Sequence, residues 1–186
     1  MEHKGTVRLE TERLILRRFS AEDAEMMYNN WAGDPEVTRY LSWGIHPDAE
    51  ESRRILKIWA ASYDYPNYYN WAMELKAEKT LIGSIGSVEG KDSVRMIHIG
   101  YCIGKKWWHQ GYTSEALAEL IRFFFREVGM NRIESCHEPA NVNSGRVMTK
   151  CKMQYEGLLR QTISKPDGFA DALYYSILAE DYKRGG

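Results

Sequence analysis

Between an alternating apolar run, Met96 to Ile103, and an amphipathic run, Glu115 to Val128, lies the segment Gly104-Lys105-Lys106-Trp107-Trp108-His109-Gln110-Gly111-Tyr112-Thr113-Ser114-Glu115-Ala116-Leu117. A strand that feeds a short glycine-containing turn and then a helix brings several helical N–H groups with no internal partner to one point. With the helix dipole behind them, and a glycine at which backbone can come close, they form a site for an anion such as a pyrophosphate. An ordinary connection between a strand and a helix has the same outline. A second polar cluster follows about 30 residues later: His137, Glu138, Asn141 and Ser144. An unperturbed His titrates near neutrality, so His137 and its neighbour Glu138 are candidates for acid–base work. Ser144 and Asn141 also read as ordinary helix-start residues, since Asn and Ser are favoured in caps and turns whatever their function.

The elements that must position these groups are legible in periodicity. Arg13 to Phe19 alternates as a strand, and Ser20 caps a helix with Glu22 and Asp23 in its first turn. Asp34-Pro35 ends that helix, and a short turn or helix runs to Trp43. Asp48 caps the next, in which Ser52, Ile55, Leu56, Trp59 and Tyr63 share one face. Tyr69 to Lys76 and Leu81 to Val88 form a hairpin around Ala77–Thr80. In the next strand Ile97, Ile99, Tyr101 and Ile103 face one way, and Met96, His98, Gly100 and Cys102 the other. Leu117, Leu120, Ile121, Phe124, Phe125 and Val128 make the apolar stripe of the helix that Gly129 ends. Arg132 to His137 is a short strand, Asn143 to Lys152 a helix, and Tyr155–Ser164 with Phe169–Leu178 a last hairpin around Lys165-Pro166-Asp167-Gly168. The order is β-α-α-β-β-β-α-β-α-β-β, an α/β chain without repeat or linker.

Composition narrows the function. The 186 residues, 44% hydrophobic, read as one domain spanning 1–186. Net charge is −1, from 25 basic and 26 acidic residues, and no basic block supports direct nucleic-acid binding. Cys102, Cys136 and Cys151 stand in apolar contexts without paired spacing, which suits free thiols in a reducing cytoplasm better than disulfides or a metal site. They also lack the cationic, exposed setting that activates a thiolate nucleophile. No run is long and apolar enough for a membrane span, and the first eight residues have no signal core.

The run Trp107-Trp108-His109-Gln110-Gly111-Tyr112-Thr113-Ser114-Glu115-Ala116 resembles the acetyl-CoA pyrophosphate loop of the GNAT superfamily of N-acetyltransferases. It is most similar to the branch that includes the ribosomal-protein N-terminal (serine/alanine) acetyltransferases, with Trp-Gly-Lys-Gly-Tyr-Ala-Thr-Glu-Ala-like loops. The superfamily pattern Gln/Arg-x-x-Gly-x-Gly/Ala falls on Trp108 through Thr113. Gly111 matches, Trp108 replaces the Gln/Arg, and Thr113 replaces the last small residue. The stretch from His137 to Lys150 resembles the branch's Asn-x-x-Ser-x-x-Val-x-x-Lys segment, with Asn141, Ser144 and Lys150 in register; Lys152 stands where glycine is usual. With the Leu9–Arg17 opening, the resemblance covers nearly the whole chain.

The resemblance implies the acyl-CoA N-acyltransferase fold, a twisted mixed sheet of about seven strands with helices on both faces. It implies a splay between the fourth and fifth strands in which the acyl-CoA lies. It implies acetyl-CoA contacts at Tyr101, Cys102, Ile103, His109, Gln110, Gly111, Tyr112, Thr113, Ser114, Asn141 and Lys150. Backbone of Tyr101 to Gly104 is expected to pair with the pantetheine amides like an added strand. Asn141 would hold the pantetheine arm, and Ser144 would donate to the thioester sulfur. The implied reaction is acetyl transfer from acetyl-CoA to a primary amine in a ternary complex, without a metal. A homodimer is allowed.

A non-catalytic acyl-CoA-binding or regulatory module is the alternative, and a nucleotide-binding protein is weaker, because neither Gly-x-x-x-x-Gly-Lys-Ser/Thr nor Gly-x-Gly-x-x-Gly is present. The base is left open among His137, Glu138, His98 and Glu89. The related enzymes use a carboxylate just beyond the segment matching Gln161-Thr162, where this chain has Ile163. Tyr63-Asp64-Tyr65-Pro66-Asn67-Tyr68-Tyr69 reads as a loop that could wall an acceptor. Trp107 and Trp108 are expected to pack beneath the anion loop.

Overall fold

The computed structural model describes residues 1–166 and 168–184. Eight strands form one sheet: β1 (Leu9–Glu10), β2 (Leu14–Arg17), β3 (Asn70–Leu75), β4 (Thr80–Lys91), β5 (Met96–Ile103), β6 (Arg132–His137), β7 (Gln154–Lys165) and β8 (Gly168–Leu178). Their order is β1-β2-β3-β4-β5-β6-β8-β7, and all neighbours are antiparallel except β5 and β6. The helices are α1 (Ala24–Met27), α2 (Pro35–Thr38), α3 (Ala49–Ser62), α4 (Tyr112–Phe123), α5 (Val142–Lys150) and α6 (Ala179–Arg184). A wider helical turn, Phe124–Val128, prolongs α4 as far as left-handed Gly129.

The eighth strand is β1, which pairs only Leu9 and Glu10 with Leu16 and Ile15, too short a run for alternation to declare itself. The helix expected after Ser20 is broken into a tight turn at Ala21–Asp23, α1 and a wide turn at Tyr28–Ala32. Asp23 serves two elements at once: its carboxylate accepts from the Ser20 amide at the start of the turn, and both its oxygens accept from the Arg17 guanidinium of β2 at 2.8 Å. The last hairpin closes with Lys165 opposite Gly168, and Asp167 of its expected turn lies outside the described residues.

Period-two alternation builds two cores. Leu14, Leu16, Trp71, Met73, Ile82, Ile97 and Ile99 meet Leu117, Leu120, Phe123 and Phe124 of α4 on one face. Ala72, Leu81 and Cys102 meet Met27, Trp31 and Leu56 on the other, so helices cover both faces.

The site depends on one local event in the sheet. Strands β5 and β6 pair only at Met96–Arg132, Ile97–Ile133 and His98–Glu134. Beyond this, β5 stays with β4 as far as Ile103, and β6 stays with β8 as far as His137. Between Ser87 and Glu89 strand β4 carries a bulge opposite His98 and Ile99, where β5 leaves β6. A bulge bends its strand and increases the local twist, so it turns β5 away. Ser135 closes the crotch of the resulting fork, its Oγ donating to the Ile99 carbonyl at 2.8 Å.

His98 stands at the last pair, with Nδ1 3.4 Å from Glu134 Oε1 and its ring edge-on to Tyr174. Burial opposes charge on this imidazole, but hydrogen bonds with Cys136 and Glu134 outweigh it and raise its pKa to about 9. A folded-state pKa above the ordinary value of 6.5 stabilises fully below that value and is lost as pH rises through about 9. The parent protein is therefore expected to lose melting temperature between these limits by more than His98→Gln does. Parallel curves for the two proteins would exclude the ion pair as a support of the fork.

Candidate functional site

A cleft of about 430 Å³ opens along the fork. Tyr101, Cys102 and Ile103 of β5 line one side of it, and Asn141, Ser144, Val147 and Lys150 of the α5 region another. Val37, Tyr40 and Leu41, in and just after α2, add an apolar wall, and His109 and Gly111–Ser114 close one end.

That end gathers helix-start amides and positive charge at one turn. His109 (φ 61°) and Gly111 (φ 82°) are both left-handed, so the chain reverses within four residues before α4 starts at Tyr112. The Glu115 amide makes the first helical bond, to the Gly111 carbonyl at 3.0 Å, and no side chain caps the helix. The amides of Tyr112, Thr113 and Ser114 thus precede the helical ladder, with no acceptor inside it. A Cβ on Gly111 would lie 3.4 Å from Lys150 Nζ and 3.5 Å from Arg13 Nη2, so two cations overhang the turn. Gln110 is exposed and outside the cleft lining, its side-chain amide donating to the Lys106 carbonyl. Trp107 is 5% exposed in the α4 core. Trp108 packs on the opposite core and donates its indole N–H to the Ile103 carbonyl at 2.9 Å.

This last bond corrects one expectation. The Ile103 carbonyl is taken by Trp108, and the Gly104 amide donates to Ile82, so the strand edge open to a guest is shorter than Tyr101–Gly104.

Periodicity does not signal the clamp on the loop, because its parts lie 102 residues apart. The Glu115 carboxylate accepts from Thr11 Oγ1, the Arg13 amide (2.8 Å) and Arg13 Nε (2.7 Å). The same guanidinium donates to the Gln110 carbonyl at 3.0 Å and covers the Tyr112 ring at 4.3 Å. Burial alone would raise the Glu115 carboxyl, but these bonds prevail and hold it below the usual 4.5.

Deeper in the fork, Ser144 Oγ donates to the Tyr101 hydroxyl at 3.1 Å, and that hydroxyl donates to the Ser144 carbonyl at 3.0 Å. Asn141 precedes α5 without a side-chain cap bond. Helix α5 sits close to β6 because residue 145 is glycine: a Cβ there would come within 2.5 Å of His137 Nε2.

The candidate bases fare differently. His137 is 6% exposed, stacked on Tyr175 and facing Gly145, and is not among the residues lining the cleft. Its Nδ1 lies 2.7 Å from the Glu138 carbonyl, while Nε2 is buried without a partner. The Glu138 carboxylate is ion-paired with Lys165, which also donates to the Arg39 carbonyl. His98 belongs to the fork's base, and Glu89 is exposed at the β4 bulge. Near Ile163, the carboxylate present is Asp171, which accepts from the Gln161 amide at 2.9 Å.

Two further expectations change. Tyr63 and Tyr69 are buried; the Tyr63 hydroxyl joins the Phe19 amide to the Asn70 carbonyl, and none of residues 63–69 lines the cleft. Cys102 is a buried thiol and Cys151 a half-buried one, and desolvation raises the pKa of both, that of Cys151 to about 12, but Cys136 has a cationic neighbour in His98. Among the described residues, no group of three or more His, Cys, Asp or Glu is placed to hold a metal ion, and no helix is long and apolar enough to cross a membrane.

Two substitutions test this arrangement. Glu115→Gln is expected to cost on the order of 1–3 kcal/mol, read as a melting point lower by roughly 2–10 °C. The deficit should shrink as pH falls from 4.5 through the lower pKa of the folded carboxylate, where the parent also takes up a proton. Gly145→Ala is expected to destabilise by about 1–3 kcal/mol through overpacking, and by less in a His137→Ala background. Equal costs in the two backgrounds would mean that the His137 contact does not seat α5.

A family model described as an acetyltransferase (GNAT) domain matches residues 13–154. The chain is 33% identical over 170 residues to the uncharacterized N-acetyltransferase YoaA of Bacillus subtilis, covering 91% of this chain and 96% of that one. Among solved structures, a GNAT-family acetyltransferase from Bacillus anthracis superposes with a TM-score of 0.81 at 28% identity, over 94% of this chain and 99% of that one. The ribosomal-protein-S5-alanine acetyltransferase of Vibrio fischeri gives 0.78 at 18% identity, over 95% and 98%, a likeness of fold. Sequence, fork and loop agree: this chain belongs to the GNAT family of acetyltransferases.

Proposed function

We propose that the protein binds acetyl-CoA in the fork and transfers the acetyl group directly to a primary amine. The observation that carries this reading is the position of the unpartnered helix amides at one end of a cleft whose other walls are a parted strand and α5. In this reading the amides of Tyr112, Thr113 and Ser114, with Lys150 and Arg13 beside them, take the pyrophosphate. His109, Tyr101, Cys102 and Ile103 line the path of the pantetheine arm, and Asn141 holds its amide. Gln110 contributes through its carbonyl, which anchors Arg13.

Acetyl transfer needs a neutral amine, a polarised carbonyl and a stabilised thiolate, and positioning of the two reactants supplies much of the rate. Ser144 donates to the sulfur as the carbon–sulfur bond breaks. His137, held against α5, and Glu138, paired with Lys165, have no base role here. The amine's surplus proton leaves to water. The acceptor is either a protein N-terminus or a small-molecule amine, and the fold by itself does not choose. Three free thiols suit a reducing compartment, and the cytoplasm is the proposed setting.

At 100 times its dissociation constant, acetyl-CoA is expected to add about 2.7 kcal/mol, roughly 5–10 °C in melting temperature. Gly111→Val should abolish that shift, because it strains a left-handed residue and fills the space beneath Lys150 and Arg13. CoA release over a panel of N-terminal peptides and small amines tests transfer. A shift without amine-dependent release would mark a binding module, and no shift at millimolar acetyl-CoA would remove the reading. Replacing all three cysteines should leave turnover within a few-fold; an acetylated Cys136 that passes its acetyl to an amine would show a covalent route instead.

A further inference from the structure

We propose that Tyr101 is the positioning residue for Ser144, and that the two hydroxyls act as one unit across the fork in acetyl transfer. This rests on the acetyl-transfer reading above and adds to it a side-chain role for a strand residue.

The geometry is reciprocal. A serine hydroxyl and a phenol each have one proton to donate. The Tyr101 proton is directed to the Ser144 carbonyl at 3.0 Å, so its oxygen is left to accept, and the Ser144 hydroxyl fills that place at 3.1 Å. A serine in the first turn of a helix ordinarily turns back to its own backbone or to water. Here Ser144 reaches across the cleft to β5 instead, three residues beyond His98, the last residue paired with β6. Both residues line the cleft. The phenol thus fixes the rotamer of the serine and, through the carbonyl, the distance between α5 and β5.

The phenol is not itself the proton source. Burial pushes the Tyr101 hydroxyl well above its ordinary value of 10, against the opposing hydrogen bonds from Ser144 and Ser135, so the tyrosinate is disfavoured. In the reaction the amine nitrogen forms a bond to the acetyl carbon, and the carbon–sulfur bond then breaks with its electron pair kept by sulfur. The Ser144 O–H turns from Tyr101 to that sulfur. The nitrogen loses one proton to water, and the thiolate gains one from water, which gives the amide and the free thiol. Tyr101 keeps its proton throughout and holds the Ser144 carbonyl while the hydroxyl is away. Without the phenol oxygen, the serine is free to settle on its own helix turn, away from the sulfur.

The test is a double-mutant cycle of Tyr101→Phe and Ser144→Ala, with turnover of the best amine in the panel, acetyl-CoA affinity and melting temperature measured for each. Ser144→Ala is expected to lower turnover by about tenfold to a hundredfold. Tyr101→Phe, which keeps the ring, should lower it by about tenfold and leave acetyl-CoA affinity within about threefold. The double variant should be no slower than Ser144→Ala alone, because the phenol acts through the serine. A purely structural tyrosine would instead multiply its loss onto that of Ser144→Ala, or lose acetyl-CoA affinity, and either result overturns the proposal. Full turnover of Tyr101→Phe alongside a slowed Ser144→Ala would overturn this proposal and leave the acetyl-transfer reading standing. Full turnover of Ser144→Ala would likewise overturn this proposal, with the role given to Ser144, while acetyl transfer stands; no amine-dependent CoA release from the parent protein removes both.

Discussion

A parallel pair of strands that lasts three residues and then parts is the constraint on which the rest of this molecule depends. A parallel pair normally continues, because each strand leaves backbone groups that need partners. In this sheet the separation is tolerated because each strand has a committed outer neighbour. Strand β4 follows β5 to Ile103, and β8 follows β6 to His137, so only the inner edges lose their ladder. The β4 bulge supplies the bend, and Ser135 satisfies the Ile99 carbonyl just past the last pair. What is left is an edge of main chain within a walled cleft, the kind of surface that an extended amide-bearing chain can join.

The two ends of this cleft are held by different physics. At the loop end the dominant force is electrostatic. A helix start, two overhanging cations and a left-handed glycine gather positive potential, and the Glu115–Arg13 pair ties this turn to the N-terminal strands without covering the amides. In the fork the dominant constraint is steric. Gly145 lets α5 approach β6 so closely that the His137 ring faces bare backbone, and that approach sets where Ser144 and Asn141 stand. One residue type serves both ends for different reasons: Gly111 for its conformation, Gly145 for its lack of a side chain.

The remaining boundary is drawn by a long-range tie. Lys165 at the tip of the β7–β8 hairpin pairs with Glu138 and donates to the Arg39 carbonyl, and its ammonium lies 5.8 Å from the centre of the Tyr40 ring. This joins the hairpin to the segment after α2 that lines the cleft through Tyr40 and Leu41. An exposed ion pair contributes little, but this one is largely buried at both partners, with side chains 13% and 16% exposed. It also accounts for a carboxylate that sequence position alone had put forward as a base.

Read by itself, the sequence determined the layout of the elements and the character of the loop. Strands β5 and β6 fall on the expected residues, Met96–Ile103 and Arg132–His137, because alternation over a half-buried strand and its bounding glycines and polar turns are local signals. The motifs from Trp107 to Lys150 located the glycine turn before α4, and α5, for the same reason, since a turn and its helix are encoded within a dozen residues. Tertiary structure alone decided which side chains meet. Glu115 meets Arg13 from 102 residues away, and Ser144 meets Tyr101 from 43. Tyr63 and Tyr69, at the two ends of the 63–69 loop, turned inward because the Tyr63 hydroxyl and the Tyr69 ring found partners in the core, and His137 turned towards Gly145 and not towards the cleft. Periodicity reports which face of an element is apolar. Where a polar side chain on that element ends depends on the donor, acceptor or gap presented by another element, and only packing the chain creates that.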